Sequence, residues 1–141
     1  MNQTAYIRMV EGSTVPSVSM DELKDLLLKY IDQTALTGKQ LDWDYADAAF
    51  PYTIENNPDG DKAWFYLKGK NSLYKYIVLG LGSDTTEDQE VSHYIQVVLP
   101  ENSTHGDKAK GNEFCKYLGR QLKAELQLFN GRTMYYNPRK L

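Results

Sequence analysis

Three aspartates, Asp42, Asp44 and Asp47, fall within one six-residue stretch, and hard divalent cations favour such oxygen donors. A calcium loop is excluded nearby: Asn57-Pro58-Asp59-Gly60-Asp61 puts its glycine in the wrong place and lacks the closing acid. Turn-forming and capping aspartates are the simpler reading of the cluster. His93 and His105 are the only histidines, and without cysteine pairs or a His-x-x-x-His spacing no zinc site is expected. Nothing resembles a nucleophile elbow. Gly80-Leu81-Gly82 has no third glycine and no following helix, so it is not a dinucleotide fingerprint. Cys115 beside Lys116 reads as a small core residue of a helix, not a reactive thiol. The chain therefore reads as a non-enzyme needing no cofactor and no metal. The enzyme alternative is a small hydrolase or isomerase using Asp42, Asp44 or His93, with His93 itself expected among core residues.

A second pattern is basic. Lys116, Arg120 and Lys123 recur at i, i+4, i+7 on one helical face, with Lys108 and Lys110 upstream. Such a stripe could bind phosphates, and single-stranded nucleic acid or a peptide is the alternative ligand. A pI near 5.4 and the missing RNP consensus argue against nucleic acid, and a solvated helix face is preferred.

The elements that must position these residues follow from periodicity. Ala5–Val10 reads as a strand. Ser19 and Glu22 form a capping box for a helix carrying Leu23, Leu26, Leu27, Tyr30 and Ile31, which should end before Gly38. Tyr52–Glu55 is a short strand. Lys62–Lys68, Leu73–Leu81 and Val91–Leu99 are three successive strands, the first two joined by a tight turn at Gly69-Lys70-Asn71-Ser72. A second helix, capped by Asp107, should run to about Phe129 on the stripe Phe114, Leu118, Leu122, Leu126 and Phe129. Arg132–Tyr136 is a last strand. The order β-α-β-β-β-β-α-β predicts an α+β fold: a mostly antiparallel sheet of five to six strands with both helices on one face.

Strand alternation then isolates an unusual surface. The chain holds 11 tyrosines and 2 tryptophans. Phe65, Leu67, Ile77, Leu79, Ile95, Val97 and Leu99 point one way. Trp64, Tyr66, Tyr74, Tyr76 and Tyr94 point the other, joined by Tyr135. If the helices cover the first face, the second is an aromatic surface that either docks a partner or is stabilised by cross-strand pairs in water.

Length and composition bound the rest. At 141 residues with 41% hydrophobic and 25% charged side chains, the chain is expected to fold as a single domain over 1–141. One cysteine permits no internal disulfide, there is no signal-like N-terminal segment, and no apolar run is long enough for a membrane span, so a cytoplasmic protein is expected. Residues 1–61 carry 4 basic and 11 acidic side chains, and residues 100–141 carry 8 and 4; opposite halves of this kind suit self-association.

The stretch Gln40-Leu41-Asp42-Trp43-Asp44-Tyr45-Ala46-Asp47-Ala48-Ala49-Phe50-Pro51-Tyr52, with Leu122-Lys123-Ala124-Glu125-Leu126-Gln127-Leu128-Phe129-Asn130-Gly131-Arg132-Thr133-Met134-Tyr135-Tyr136, resembles a small uncharacterised family of Bacillus-type bacterial proteins, a domain of unknown function. The resemblance covers nearly the whole chain and implies a bacterial cytosolic protein with no assigned site. A homodimer through the aromatic sheet face is the expected partner, with an unidentified protein or small molecule as the alternative and no membrane.

Overall fold

The computed structural model describes residues 3–40, 50–56, 64–85 and 87–136, with side chains of the first helix described to Thr34. Among the described residues, seven strands and two helices follow in order: β1 (Gln3–Arg8), α1 (Met20–Gln40), β2 (Tyr52–Asn56), β3 (Trp64–Gly69), β4 (Tyr76–Thr85), β5 (Val91–Leu99), α2 (His105–Leu122), β6 (Glu125–Gln127) and β7 (Thr133–Tyr135). They form one antiparallel sheet in the spatial order β2-β3-β4-β5-β1-β6-β7. The α+β class is as the periodicity predicts, with seven strands where five to six are expected.

Both helices lie on one side. The side chains facing them, Ile7, Phe65, Leu67, Ile77, Leu79, Ile95, Val97 and Leu99, are all buried, as are Leu23 and Leu27 of α1 and Phe114 and Leu118 of α2. Each such side chain contributes about 1.5–3 kcal/mol by leaving water. The helices touch through Tyr30, whose ring meets those of Phe114 and Tyr117 edge-on at 5.6 and 5.0 Å. The Tyr117 hydroxyl donates to the Leu26 carbonyl at 3.0 Å. Among the described residues no helix is long and apolar enough to cross a membrane.

The α1 capping box forms as expected: Glu22 N donates to Ser19 Oγ at 3.1 Å and Ser19 N to Glu22 Oε1 at 3.0 Å. The helix runs past Gly38 to Gln40. The second helix departs from expectation at both ends. Its N-cap is Thr104; Asp107 is the N3 residue of the capping box, accepting from Thr104 N while its own N–H donates to Thr104 Oγ1. It stops at Leu122, not Phe129. Lys123 turns into the left-handed region at φ 49° and donates to Arg120 O. Leu126 keeps its place in the core, but as a strand residue paired with Ile7. The 3.6-residue stripe carried on through Leu126 and Phe129 by coincidence of spacing, while the open edge of β1 offered ladder hydrogen bonds that outweigh the cost of a lysine in αL geometry.

Asp107 ties this side together. It is 0% exposed. Besides the cap, it accepts from Tyr52 Oη at 2.6 Å and from Lys75 N at 3.0 and 3.1 Å. Thr104 Oγ1 adds a 2.6 Å bond to the Leu73 carbonyl. One carboxylate thus joins the start of α2 to β2 and to the β3–β4 connection. Replacing it by alanine orphans one buried donor, the Tyr52 hydroxyl, and two part-buried amides, so Asp107→Ala is expected to cost about 3 kcal/mol. The solvent-facing cap change Ser19→Ala should cost only about 1 kcal/mol. Urea denaturation of the two variants measures the contrast.

Candidate functional site

The side of the sheet away from the helices is a grid of half-exposed side chains. Register pairing sets its rows. One row runs Glu55, Tyr66, Val78, Val98, Thr4. The next runs Trp64, Gly80, Gln96, Tyr6, Gln127, Thr133. A third runs Gly82, Tyr94, Arg8, Glu125, Tyr135. Tyr76 stands beside Lys68 at one corner.

Two aromatic ridges rise from this grid. On β3 and β4, Trp64 and Tyr66 lie 6.4 Å apart and Tyr66 meets Tyr76 edge-on at 5.9 Å. On β5 and β1, Tyr94 meets Tyr6 edge-on at 5.5 Å. The Arg8 guanidinium lies 4.7 Å from the Tyr6 centroid and 5.8 Å from that of Tyr94, a cation–π arrangement. Between the ridges the strands carry small or flat side chains. The resulting trough has a volume of about 370 Å³ and is lined by Trp64, Val78, Gly80, Gln96 and Val98. Gly82 is covered by the Tyr94 ring: a β-carbon there would meet the ring at 2.5 Å, so the glycine is required by close approach.

Of the expected face, Trp64, Tyr66, Tyr76, Tyr94 and Tyr135 share this side, Tyr135 at the far strand beyond Glu125. Tyr74 does not. It is packed against the core on the helix side, edge-on to Tyr52 at 5.4 Å. The alternation counted back from Ile77 holds only to Tyr76, where β4 begins. Before it, residues 73–75 curl toward Asp107 and Thr104, and Gly69 N bonds Lys75 O at 2.7 Å. The approach is so close that a β-carbon on Gly69 would collide with the Tyr74 carbonyl oxygen. Tyr6 and Arg8 belong to the face and were missed. Their alternation with buried Ala5 and Ile7 is legible in the sequence, but their place beside Tyr94 depends on β1 pairing with β5.

The other candidates fall elsewhere. Lys116, Arg120 and Lys123 are exposed on the outer side of the helix layer, on the opposite face of the molecule from the aromatic ridges. His93 is half-buried, not a core residue. It lies toward the end of β5 and lines a polar cleft of about 400 Å³ with Ser17, Ser19, Glu22 and Ser83. The helices leave that end of the strand uncovered, as the 56% exposure of Val91 shows. Asp42, Asp44 and Asp47 lie outside the described residues. Among the described residues, no group of three or more His, Cys, Asp or Glu side chains could hold a metal ion.

Cys115 is fully buried under α2, and burial pushes its thiol up to about 12. Burial, reinforced by the hydrogen bond to Asp107, also raises the Tyr52 hydroxyl well above the ordinary tyrosine value.

These features define an α+β protein with one helix-covered and one bare, aromatic sheet face. The chain belongs to the family described as a domain of unknown function, DUF1885, which it matches over residues 3–138. It is similar to a solved protein of unknown function from Bacillus stearothermophilus, with 39% identity over 89% of this chain and 92% of that one and a TM-score of 0.56. No curated protein matches it.

Two measurements check the buried titrating groups. The native protein should resist thiol reagents at pH 8 and react at once when unfolded. Because both groups hold their protons more tightly folded than unfolded, stability should be full below about pH 9 and fall as pH rises toward 12. Thermal melts across that range read it.

Proposed function

We propose that this protein is a binding module that acts by pairing with a second copy of itself through the bare sheet face. The carrying observation is the ridge–trough–ridge relief formed by Trp64 and Tyr66, Gly80 and Val98, and Tyr94 and Tyr6. A twofold contact presents the same patch from both sides, and a surface that carries a ridge beside a trough can seat the ridge of one copy in the trough of the other. Aromatic side chains gain most from such burial, because their rings leave water while hydroxyl and indole N–H groups still reach partners. Gln96 supplies a polar contact within the trough, and Arg8 one beside the Tyr6–Tyr94 ridge. The centre of the face, Trp64, Tyr66, Val78, Gly80, Gln96 and Val98, carries no charged side chain, which suits the desolvated centre of an interface.

We further infer a cytoplasmic location, supported by the lone cysteine held as a buried thiol and by its place in a domain built without disulfide links. A single-stranded nucleic acid or a peptide is the competing occupant of the same face.

Sedimentation of the purified protein is the test. At about 0.5 M salt, where charged contacts are screened, a dimer is expected at micromolar concentration. Under the same conditions Trp64→Glu and Tyr76→Glu should each convert it to monomer with an unchanged circular dichroism spectrum, and Gly80→Leu, which fills the trough, should do the same. A wild-type monomer, indistinguishable from these variants, would overturn the reading. Oligonucleotide binding that weakens steeply with salt would replace the second copy by nucleic acid.

A further inference from the structure

The helix layer carries a second self-complementary pattern, electrostatic where the sheet face is aromatic. On α1, Asp21, Asp25, Leu28 and Asp32 recur at helical spacing on the side opposite buried Leu23, Leu27 and Tyr30, and all four are exposed. On α2, Lys116 and Arg120 lie opposite buried Phe114 and Leu118, and the exposed cap residue Lys123 continues the stripe. The one acid beside it, Glu113, is bonded to Lys110 at 3.1 Å and to the Tyr30 hydroxyl at 2.8 Å. Among the described residues, neither the three aspartates nor Lys116, Arg120 and Lys123 make an ion pair within the chain. Lys29 and Glu22, also exposed, stand on the cleft side of α1 with opposite charges, so the outermost stripe of α1 is acidic and that of α2 basic.

The bonds between the helices set their relative level. Tyr30 reaches Glu113 and Tyr117 reaches Leu26, so the helices run antiparallel and Asp25 stands level with the Lys116–Arg120 turn. We propose that two copies also associate through this layer, about a twofold axis running between and parallel to the helices. That operation lays α1 of each copy on α2 of the other without changing level. Asp25 of one copy then faces Lys116 and Arg120 of the other, and Asp21 faces Arg120 and Lys123, twice over by symmetry. Between the two stripes lies a cleft of about 330 Å³ with an apolar floor of Val15, Val18, Leu26 and Leu122, which the partner covers. Exposed ion pairs are individually weak and are screened by salt, so this contact is a low-ionic-strength association, distinct from the sheet-face pairing and independent of it.

The test uses the Trp64→Glu protein, in which the sheet face is blocked, followed by sedimentation at low ionic strength and at about 0.5 M salt, where the screening length is roughly 4 Å. Association is expected at low salt, weakening about tenfold or more at high salt. Reversing one stripe, either Asp21→Lys with Asp25→Lys or Lys116→Glu with Arg120→Glu, should abolish it. Reversing both stripes together should restore it. All of these positions are solvent-facing, and circular dichroism confirms that each variant is folded. The same reversals in the wild-type background remove the salt-sensitive step whether or not the sheet face pairs. Salt-independent behaviour, or a single-stripe reversal without effect, or a double reversal that fails to restore association, overturns the proposal.

Discussion

A single buried carboxylate organises the helix-covered side of this fold. Asp107 closes the first turn of α2 and, in the same position, accepts from β2 through Tyr52 and from the β3–β4 connection through the Lys75 amide. A buried carboxylate is tolerable only with its lone pairs filled, and here backbone donors and a tyrosine fill them. The helix start therefore cannot shift along the sheet without leaving donors unpaired. That constraint sets where α2 crosses the strands and bends Leu73–Lys75 inward. It also draws Tyr74 off the bare face and into the aromatic packing around Tyr52 and Phe114.

With one face closed in this way, the other is left to side chains that must be stable in water. The bare face meets that demand with cross-strand aromatic contacts and a stacked guanidinium. Its glycines are placed unequally. Gly82 is roofed by Tyr94, so the ring recovers contact that the glycine lacks. Gly80 helps to floor the trough. Two ridges with a depression between them result from that inequality, and the relief gives the face a shape that a flat tyrosine-rich sheet would not have.

The two faces of the molecule differ in physical kind. The proposed pairing through rings and a trough would depend on apolar area and change little with salt. The proposed contact through the α1 and α2 stripes would depend on charge and disappear when it is screened. The acidic first part and the basic last part of the chain become spatial neighbours because α1 and α2 share one layer.

The sequence by itself determined the α+β class, the core alternation of β3, β4 and β5, the Ser19–Glu22 cap, the stripe of α1 and that of α2 as far as Leu122, because each is a local pattern acting on hydrophobic burial or on capping. It was equally sufficient to separate Trp64, Tyr66, Tyr76 and Tyr94 from the core residues beside them. Only the tertiary structure decided the rest. The end of α2 at Leu122 depended on a free edge of β1 more than a hundred residues away in the chain. Tyr6 and Arg8 joined the aromatic face because β1 pairs with β5, and Tyr74 left it because Asp107 holds the Lys75 amide next to it. His93 lost its place in the core because the helices stop short of that end of β5. In each case the deciding contact joins residues distant in sequence, and a local pattern specifies which way a side chain points without specifying what it will meet there.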